Sequence, residues 1–279
     1  MLTWPHLSRF VTQGAMAAAA CLALPALAAS VPIGPIGYTA WDVAGSDKLL
    51  RIDLATGVGT VVGSNIGFGD VDGLAFDGSG QLWGVDDDTN RLIRIDTSTG
   101  VGTAVGSGFG SGFNDMGLAF GSNGTLYMAA TDSAGVFGQL YTVNTGTGAA
   151  TAVGGDFGLN PLNSSQRLRV RSLGFADGVL YGWSNRDTLL TINTSTGSAT
   201  TVGAFGFGAP VIGQDGMDAD PATGLLWAIA EEENRTYTID RATGFATLRA
   251  AALSCDGGSC AAGGFNGLAI SAVPEPSST

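Results

Sequence analysis

Histidine and lysine are almost absent from this sequence. Its 279 residues include one histidine, His6, and one lysine, Lys48. His6 lies in an N-terminal segment that we expect to be removed, so the mature protein would have no histidine. This excludes Ser-His-Asp and Cys-His nucleophile systems and His-ligated zinc, copper or haem, and it leaves little scope for Schiff-base chemistry. Catalysis, if any, would depend on carboxylates, arginine, tyrosine or hydroxyl groups.

Positive charge is scarce in general. The chain has 12 Lys and Arg residues against 24 Asp and Glu residues, which gives a formal net charge of −12. A surface of this sign repels phosphate backbones, so nucleic acid is excluded as a partner. The same sign suits cations and cationic partners, or serves solubility alone.

Residues 1–28 have the pattern of a secretory signal peptide. Arg9 precedes an Ala/Leu-rich stretch, and Ala26-Leu27-Ala28 places small residues at a cleavage site. The alternative is lipid attachment at Cys21, but the residues before it lack the branched side chain usual there. No second apolar run of membrane-spanning length follows, so we expect no membrane span in the mature chain.

Two cysteines remain beyond this segment, Cys255 and Cys260, in the sequence SCDGGSC. In an oxidising compartment we expect them to form a disulfide that closes a glycine-rich loop. A metal site is the alternative, but no other soft ligands accompany the pair.

A repeat with a period near 47 residues is the main positive signal. One strand-turn-strand phrase occurs five times, as LLRIDLATGVGTVVG, LIRIDTSTGVGTAVG, LYTVNTGTGAATAVG, LLTINTSTGSATTVG and TYTIDRATGFATLRA. Each phrase has an Asp or Asn suited to an Asx turn and a Gly that permits positive φ. We interpret these positions as structural: Asp53, Asp96, Asn144, Asn193 and Asp240, with Gly57, Gly100, Gly148, Gly197 and Gly244.

A second hairpin precedes four of the five phrases, and the first repeat, near Tyr38, lacks its innermost strand. The sequence FNGLAIS near the C-terminus supplies the missing strand. These features predict an all-β, five-bladed propeller of four-stranded antiparallel blades over residues 36–271, closed by the C-terminal strand. The alternative is an open solenoid, which would leave exposed edges.

The strand order divides the loops between two faces of such a propeller. Tight glycine-rich turns after the first and third strands share one face, here called the turn face. Longer connections after the second strands and between blades share the other, here called the loop face, and they include Asp86-Asp87-Asp88 and Glu231-Glu232-Glu233. Because variable loops on a rigid scaffold commonly carry function, we expect the ligand at the loop face.

One aromatic residue per blade recurs in the second strands. We align Trp41, Trp83, Tyr127, Tyr181 and Trp227 in this column. Packing between blades is the favoured interpretation, and stacking on sugars is the alternative.

Charged residues cluster where the innermost strands would narrow around the axis. The candidate ligand-binding residues are Asp70, Asp72, Asp115, Arg169, Arg171 and Asp215, with Arg167 and Asp218 in the same ring. They could form a polar funnel that grips a charged or sugar ligand, or a set of ion pairs that fills the channel.

Two further hypotheses use the same acids. A calcium site could be formed by hard oxygen ligands at Asp70, Asp72, Asp86, Asp87 and Asp88, although these do not match the spaced EF-hand loop. No cofactor other than calcium is indicated. If the protein is an enzyme, Asp72 and Asp215 are the expected acid pair.

The sequence Val273-Pro274-Glu275-Pro276 after the last repeat resembles the PEP-CTERM sorting signal of exopolysaccharide-producing Gram-negative bacteria. In that family an exosortase processes the box, and a hydrophobic helix and a basic cluster follow it; neither follows here within residues 272–279. Truncation and release without exosortase handling both fit this difference. The resemblance implies an exported cell-surface or matrix protein. The repeats look like those of uncharacterised PEP-CTERM proteins, and loosely like NHL or SMP-30 propellers, but no active-site motif accompanies that likeness.

Three functions from different classes therefore remain. The favoured hypothesis is a surface or matrix module that binds a polysaccharide or a protein through its acidic loop face. The alternatives are a carboxylate-based enzyme acting on glycans or lactones, and a passive structural component of a biofilm. The sequence does not indicate an oligomeric state.

Overall fold

The computed structural model describes residues 34–43, 46–110, 112–160, 163–207, 216–230, 233–260 and 264–272. These residues form strands and turns, and no helix occurs among them, so none of the described segments is a helix able to cross a membrane. Five antiparallel sheets follow one another as blades, which confirms the predicted five-bladed propeller. The predicted leader at 1–28 and the Val-Pro-Glu-Pro tail lie outside the described residues.

Each blade is a run of strands ordered from the axis outward. Blade 1 contains β1 (Ile36–Asp42), β2 (Asp47–Asp53) and β3 (Val58–Val62), with β24 (Phe265–Ile270) innermost. Blade 2 contains β4 (Val71–Phe76), β5 (Leu82–Asp86), β6 (Arg91–Ile95) and β7 (Gly102–Val105). Blade 3 contains β8 (Phe113–Phe120), β9 (Leu126–Asp132), β10 (Gly138–Val143) and β11 (Ala150–Asp156).

A short hairpin separates blade 3 from blade 4 on the loop face. It consists of β12 (Leu159–Asn160) and β13 (Asn163–Arg167). Blade 4 contains β14 (Val170–Ala176), β15 (Val179–Ser184), β16 (Thr188–Ile192) and β17 (Ala199–Ala204). Blade 5 contains β18 (Gly216–Ala219), β19 (Leu226–Ala230), β20 (Arg235–Ile239) and β21 (Ala246–Ala250).

The C-terminal strand closes the ring as the sequence predicts. β24 pairs antiparallel with β1, from Trp41 opposite Phe265 to Gly37 opposite Ile270. The backbone N–H of Ser271 then donates a hydrogen bond to Ile36 O at 3.0 Å. Both described ends of the propeller therefore meet at the turn face, beside the axis.

Glycines allow the innermost strands to approach one another closely. A Cβ on Gly117 of β8 would lie only 2.8 Å from Arg171 O on β14, and one on Gly73 of β4 would lie 2.7 Å from Met116 O on β8. Gly216 and Gly267 approach the next innermost strand in the same way. Because backbone atoms cannot yield to a side chain, glycine is required for this spacing.

Blade 4 has Ser172 at the position that glycine occupies in the other blades. Its hydroxyl Oγ accepts a hydrogen bond from Met217 N at 2.7 Å and lies 3.3 Å from Met217 O. The serine therefore joins blade 4 to blade 5 through its side chain rather than through direct backbone packing.

Five hydrophobic clusters fill the spaces between neighbouring blades. The strand register places Trp83, Tyr127, Tyr181 and Trp227 at one level, and all are at least 92% buried. The predicted packing column is thus confirmed in four blades, but Trp41 was wrong for blade 1. In blade 1 the residue at that level is Tyr38, which pairs with Ala269. Trp41 lies three residues nearer the loop face, opposite Phe265.

The repeated Asx turns are present in all five blades. In blade 2, Asp96 Oδ1 accepts hydrogen bonds from Ser98 N and Thr99 N, at 2.8 and 3.2 Å. A Cβ on Gly100, which has φ of +75°, would lie 2.3 Å from Val62 O at the outer edge of blade 1. The turns therefore also make contacts between blades, which explains why the phrase recurs.

The predicted disulfide between Cys255 and Cys260 is present, and it closes an additional hairpin. This hairpin, β22 (Ser254–Cys255) and β23 (Gly258–Ser259), pairs in parallel with β3, so blade 1 is extended at its outer edge. Asp256 Oδ1 accepts a hydrogen bond from Val61 N at 3.0 Å. The C-terminal segment thus covers blade 1 on both edges.

We predict that Gly117→Ala lowers the free energy of unfolding by about 1–3 kcal/mol, because the new methyl group would press on the β14 backbone. Gly155→Ala is the matched control, since no heavy atom lies within 4 Å of its Cβ position on outer strand β11. Denaturant unfolding of both variants measures the difference. Equal effects would contradict the close-approach argument.

We also predict that replacing Cys255 and Cys260 together by serine lowers the free energy of unfolding by about 2 kcal/mol, because the short loop is no longer constrained in the unfolded chain. Reducing agent should destabilise the native protein by a similar amount and leave the double variant unaffected. Calorimetry of the four samples is the measurement, and an unchanged melting temperature in the double variant would refute the prediction.

Candidate functional site

The segment Gly69–Asp72 enters the ring at the loop-face mouth, and aspartates of blades 1 and 2 make hydrogen bonds with it. Val71 N donates a short hydrogen bond to Asp47 Oδ2 of blade 1. Asp70 N donates to Asp86 Oδ1 at 3.3 Å, and Asp87 N donates to Asp70 O at 2.7 Å.

The carboxylates gathered around this segment are here called the acidic cluster: Asp42, Asp47, Asp70, Asp72, Asp86, Asp87, Asp88 and Asp115. Blades 1, 2 and 3 contribute to it, because the first strand of each blade starts at this face and the second strand ends there.

Local structure fixes several of these side chains. Asp86 ends β5, and its Oδ2 accepts hydrogen bonds from the backbone N–H of Thr89, at 2.9 Å, and from the Thr89 hydroxyl. Asp115 has φ of +46°, an uncommon conformation for a residue other than glycine, next to the irregularity in the β8–β9 pairing. The Asp72 Oδ2 atom accepts a hydrogen bond from Met116 N of blade 3 at 3.1 Å.

Burial within the cluster is unusual for carboxylates. Asp47 and Asp86 are fully buried, and Asp72 is 3% exposed. The second oxygen of two of these groups, Asp47 Oδ1 and Asp72 Oδ1, is buried without a hydrogen-bond partner. Such an arrangement costs free energy, since a buried carboxylate normally has its lone pairs satisfied.

The same burial changes the proton affinity of the cluster. Burial raises the pKa of Asp47 to about 7, and Asp42, Asp70 and Asp86 add like charge. Burial and the Asp70 carboxylate raise the pKa of Asp72 well above its ordinary value. The pKa of Asp87 is raised to about 7 and that of Asp70 is also raised, in both cases by burial first and by neighbouring aspartates second.

Positive charge reaches the mouth from blade 4. Arg169 Nη1 lies 3.9 Å from Asp115 Oδ2, and Arg171 lies on β14 at the position that Asp72 occupies on β4. Arg167 is directed elsewhere: it pairs with Asp156, and its guanidinium lies 4.6 Å from the ring centre of Phe137.

Of the predicted ligand-binding residues, the structure thus gathers Asp70, Asp72, Asp115 and Arg169 at one mouth, with Arg171 on the adjoining innermost strand. Asp215, which also belonged to the predicted acid pair, lies outside the described residues. Asp218 faces blade 1 rather than the mouth, and its Oδ2 accepts a hydrogen bond from Ile270 N at 2.8 Å.

Sequence reasoning missed Asp42 and Asp47 of the cluster. Asp42 ends β1 and Asp47 begins β2, and the two residues pair across this hairpin. Their place in the hairpin, on the same face as Asp86-Asp87-Asp88, could have assigned them to the cluster. It also missed the exposed apolar residues on this face, Val136, Phe137 and Leu159.

The structure shows no preformed coordination site for the predicted calcium ion in the residues that it describes. Among the residues that the structure describes, no group of three or more acidic, histidine or cysteine side chains is placed so that it could hold a metal ion. The predicted ligands Asp70, Asp72, Asp86, Asp87 and Asp88 do lie in one cluster, so calcium binding there stays a prediction.

Two shallow concavities of about 360 and 640 Å³ lie at the turn-face ends of blades 2 and 4. They are lined by residues of the tight turns and adjoining strands, such as Asp96 and Asn193. Both of these side chains already accept hydrogen bonds within their own turns.

We predict that stability falls as the pH rises from about 5 to about 8. The raised pKa values mean that the native state holds protons that the unfolded chain releases near pH 4, so this contribution is complete at low pH and is lost as the pH passes about 7. A pKa change of one unit in one carboxyl is worth about 1.4 kcal/mol, so the fall should be about 2 kcal/mol or more.

Urea unfolding at several pH values measures this dependence, and Asp47→Asn should flatten it. Asp96→Asn should not, because it removes an exposed charge from a turn that asparagine forms equally well in blades 3 and 4. A stability that is constant or rises over this range would contradict the prediction.

Three solved structures of other proteins are similar to this chain at low identity. A chain of a nidogen/laminin complex is 14% identical, with a TM-score of 0.50, and the match covers 86% of each chain. A calcium-binding regucalcin from Agrobacterium tumefaciens is 20% identical, with a TM-score of 0.46 and coverage of 81% of this chain and 78% of that one. A gluconolactonase from Xanthomonas campestris is 13% identical, with a TM-score of 0.46 and coverage of 78% and 76%.

At these identities the first of these likenesses shows the propeller fold alone, and the other two add nothing to it. No curated protein matches the sequence. Residues 33–155, which span blades 1 to 3, match the model of a family described as a repeat of unknown function, DUF6923.

Proposed function

We propose that this chain is an exported cell-surface or extracellular-matrix module that binds a polysaccharide or a protein through its loop face. The observation that carries the proposal is the contrast between the two faces. On the turn face the repeated polar side chains already have partners, whereas the loop face gathers like charges at one mouth, with two buried carboxylate oxygens that have no hydrogen-bond partner.

On the turn face, the polar side chains of the repeat already have partners. In each repeated turn an Asp or Asn accepts backbone hydrogen bonds, as Asn144 does from Gly146 and Thr147 at 2.9 and 3.0 Å. The turn glycines pack on the preceding blade, as Gly148 does on Val105. These groups are committed to the scaffold, which leaves few of them for a ligand.

On the loop face, the acidic cluster lowers stability at neutral pH, because like charges are crowded and two buried oxygens lack donors. Stability alone would not need a charge here, because an uncharged acceptor serves the equivalent contact in blade 4, where Ser172 Oγ accepts from Met217 N. Retaining strained or repelling groups on variable loops of a rigid scaffold is typical of a binding site.

An apolar patch adjoins the charged mouth. Val136, Phe137 and Leu159 are 49%, 43% and 54% exposed. Phe137 precedes β10, and the Cβ position of neighbouring Gly135 lies 3.3 Å from Arg169 Nη1, so the patch and the mouth are continuous. An aromatic ring beside carboxylates and arginines suits a polysaccharide, which presents apolar ring faces and hydroxyl groups together.

Export is supported by the leader pattern and by the Val-Pro-Glu-Pro resemblance. Both described ends of the propeller, Ile36 and Ser271, lie at the turn face. Any segment that tethers the propeller there would leave the loop face directed away from the attachment.

An enzymatic role for Asp72 with Asp215 stays a prediction that the described residues do not favour. Asp72 is 3% exposed, and one of its oxygens is held by Met116 N, so it offers no accessible carboxylate to a substrate. A passive structural role predicts that the protein binds neither polysaccharides nor purified surface proteins.

We expect the purified mature protein to bind a subset of an array of bacterial polysaccharides. Phe137→Ala should weaken that binding about tenfold, because an exposed aromatic ring at the contact is lost. Phe245→Ala is the control: Phe245 is 56% exposed in a tight turn of blade 5, away from the loop face.

A flat array, together with no binding to purified surface proteins, would favour the passive structural role. Equal losses in the two phenylalanine variants would place the ligand elsewhere than the loop face.

A further inference from the structure

We propose that the disulfide hairpin, β22 and β23 with Cys255 and Cys260, is a redox-sensitive clasp at the closing seam, the junction between blades 5 and 1 where the ring closes. When the two cysteines are reduced, this seam should open locally while the other four seams stay closed. The inference goes beyond the proposed function, because it concerns closure of the ring and requires no ligand at the loop face.

The other four seams are joined at the rim by one repeated backbone contact. In each of them a glycine stands six residues after the turn glycine, and a Cβ there would lie only 1.7–2.0 Å from a threonine carbonyl oxygen in the turn of the next blade. Because no side chain fits at such a distance, only glycine lets the outermost strand reach the next blade. These glycines are Gly63, Gly106, Gly154 and Gly203, and they face Thr99, Thr147, Thr196 and Thr243.

Blade 5 has Ala250 at this position, and its methyl group excludes the same contact. The turn glycine of blade 1, Gly57, instead faces the chain beyond β21: its Cβ position lies 2.5 Å from Ala252 O and 2.9 Å from Ala250 Cβ. The chain then forms the disulfide hairpin before it reaches β24. The rim of the closing seam is therefore held by the hairpin, where the other seams are held by the blades themselves.

Hydrogen bonds attach the hairpin to the outer strand of blade 1. Ser254 N donates to Gly57 O at 2.9 Å, and Asp256 N donates to Gly59 O at 3.1 Å. A Cβ on Gly59 would lie 2.7 Å from Ser254 O, so the two backbones are in direct contact. The hairpin cannot leave blade 1 without breaking these bonds.

The disulfide joins the hairpin to the interior of the seam. Cys255 and Cys260 are 7% and 0% exposed, and they pack in one hydrophobic cluster with Trp227 of blade 5 and Leu50 of blade 1. The bond joins residues that are five positions apart, so it holds the hairpin in the form that fits this cluster. Two separate thiols would impose no such constraint.

The closing seam also contains two buried indole groups without partners. Within the described part of the chain, Trp41 Nε1 and Trp227 Nε1 have no hydrogen-bond partner, and both residues pack in this cluster. At other seams the indoles of Trp83 and Trp183 donate to aspartates, at 2.9 and 3.3 Å. Opening would let the two unpaired donors bond water, so the closing seam depends on its clasp more than the other seams do.

Opening requires reduction of the bond. A dithiol such as dithiothreitol supplies two electrons and two protons, the S–S bond breaks, Cys255 and Cys260 become thiols, and the dithiol becomes a cyclic disulfide. In an oxidising compartment a disulfide-bearing oxidant takes up the two electrons and two protons and forms the bond again. In a chain that is exported as proposed, the clasp would form only after export.

Amide hydrogen exchange measured by NMR tests the clasp, in the native protein with and without dithiothreitol and in the variant with Cys255→Ser and Cys260→Ser. The seam reporters are the amides of Ser254 and Ile270, which are bonded at the closing seam to Gly57 O and to a blade 5 carboxylate. Reduction or substitution should accelerate their exchange at least about tenfold more than that of amides at other seams, because local opening exposes them first.

The amides of Met116 and Met217 are the internal references, since they donate across the seams between blades 2 and 3 and between blades 4 and 5. Any acceleration of their exchange measures the loss of global stability. Equal acceleration of the seam and reference amides would mean that the bond stabilises only the fold as a whole, and unchanged seam amides would mean that the seam holds without it. Either result overturns the proposal.

Asp256→Gly tests the clasp with the disulfide intact. It removes the acceptor of Val61 N, and glycine readily adopts the φ of +49° that Asp256 has. The two seam amides should again accelerate relative to the references, without any reductant. Asp177→Gly is the matched control, because Asp177 also has φ of +49° but pairs with Arg241 between blades 4 and 5. The same response of the seam amides in both variants would contradict the proposal.

Discussion

The structure depends on the close approach of its innermost strands around the axis. At Gly73, Gly117, Gly216 and Gly267 the backbone of one blade lies against that of the next, where a Cβ would be 2.3–2.8 Å from main-chain atoms. This spacing sets the diameter of the ring, and the diameter decides which side chains fit between blades. The buried aromatic column and the five interblade clusters can form only when the inner strands are this close.

The same convergence produces the crowding at the loop face. Asp72 precedes Gly73, and the close approach of Gly73 to Met116 O brings the Asp72 carboxylate to Met116 N of blade 3. Adjacent hairpins add Asp47 and Asp86 from their strand ends. Charge of one sign is therefore concentrated by the geometry of closure, and Arg169 from blade 4 offsets little of it, at 3.9 Å from Asp115.

Much of this architecture could be predicted because each repeat contains its own turn chemistry. The Asx aspartates and the turn glycines specify hairpins locally, and the strand missing from the first repeat predicted closure by β24.

Trp41 was misaligned because the first repeat begins inside a blade, where sequence spacing alone cannot distinguish Tyr38 from an aromatic residue three positions later. The parallel pairing of the Cys255–Cys260 hairpin with β3 could not be predicted, since it joins segments about 200 residues apart. Asp42 and Asp47 were missed because an isolated aspartate in a hairpin gives no sign of its burial.

Closure of the ring and ionisation of the acids are coupled through the same hydrogen bonds. Asp47 joins blade 1 to Val71 of blade 2, Asp72 joins blade 2 to Met116 of blade 3, and Asp218 joins blade 5 to Ile270 of blade 1. Each of these carboxyls has a pKa raised by burial. A change in their charge therefore acts on the contacts between blades and not only on the surface potential. Protonation of these carboxyls would stabilise the ring, because it removes buried negative charge from the contacts between blades.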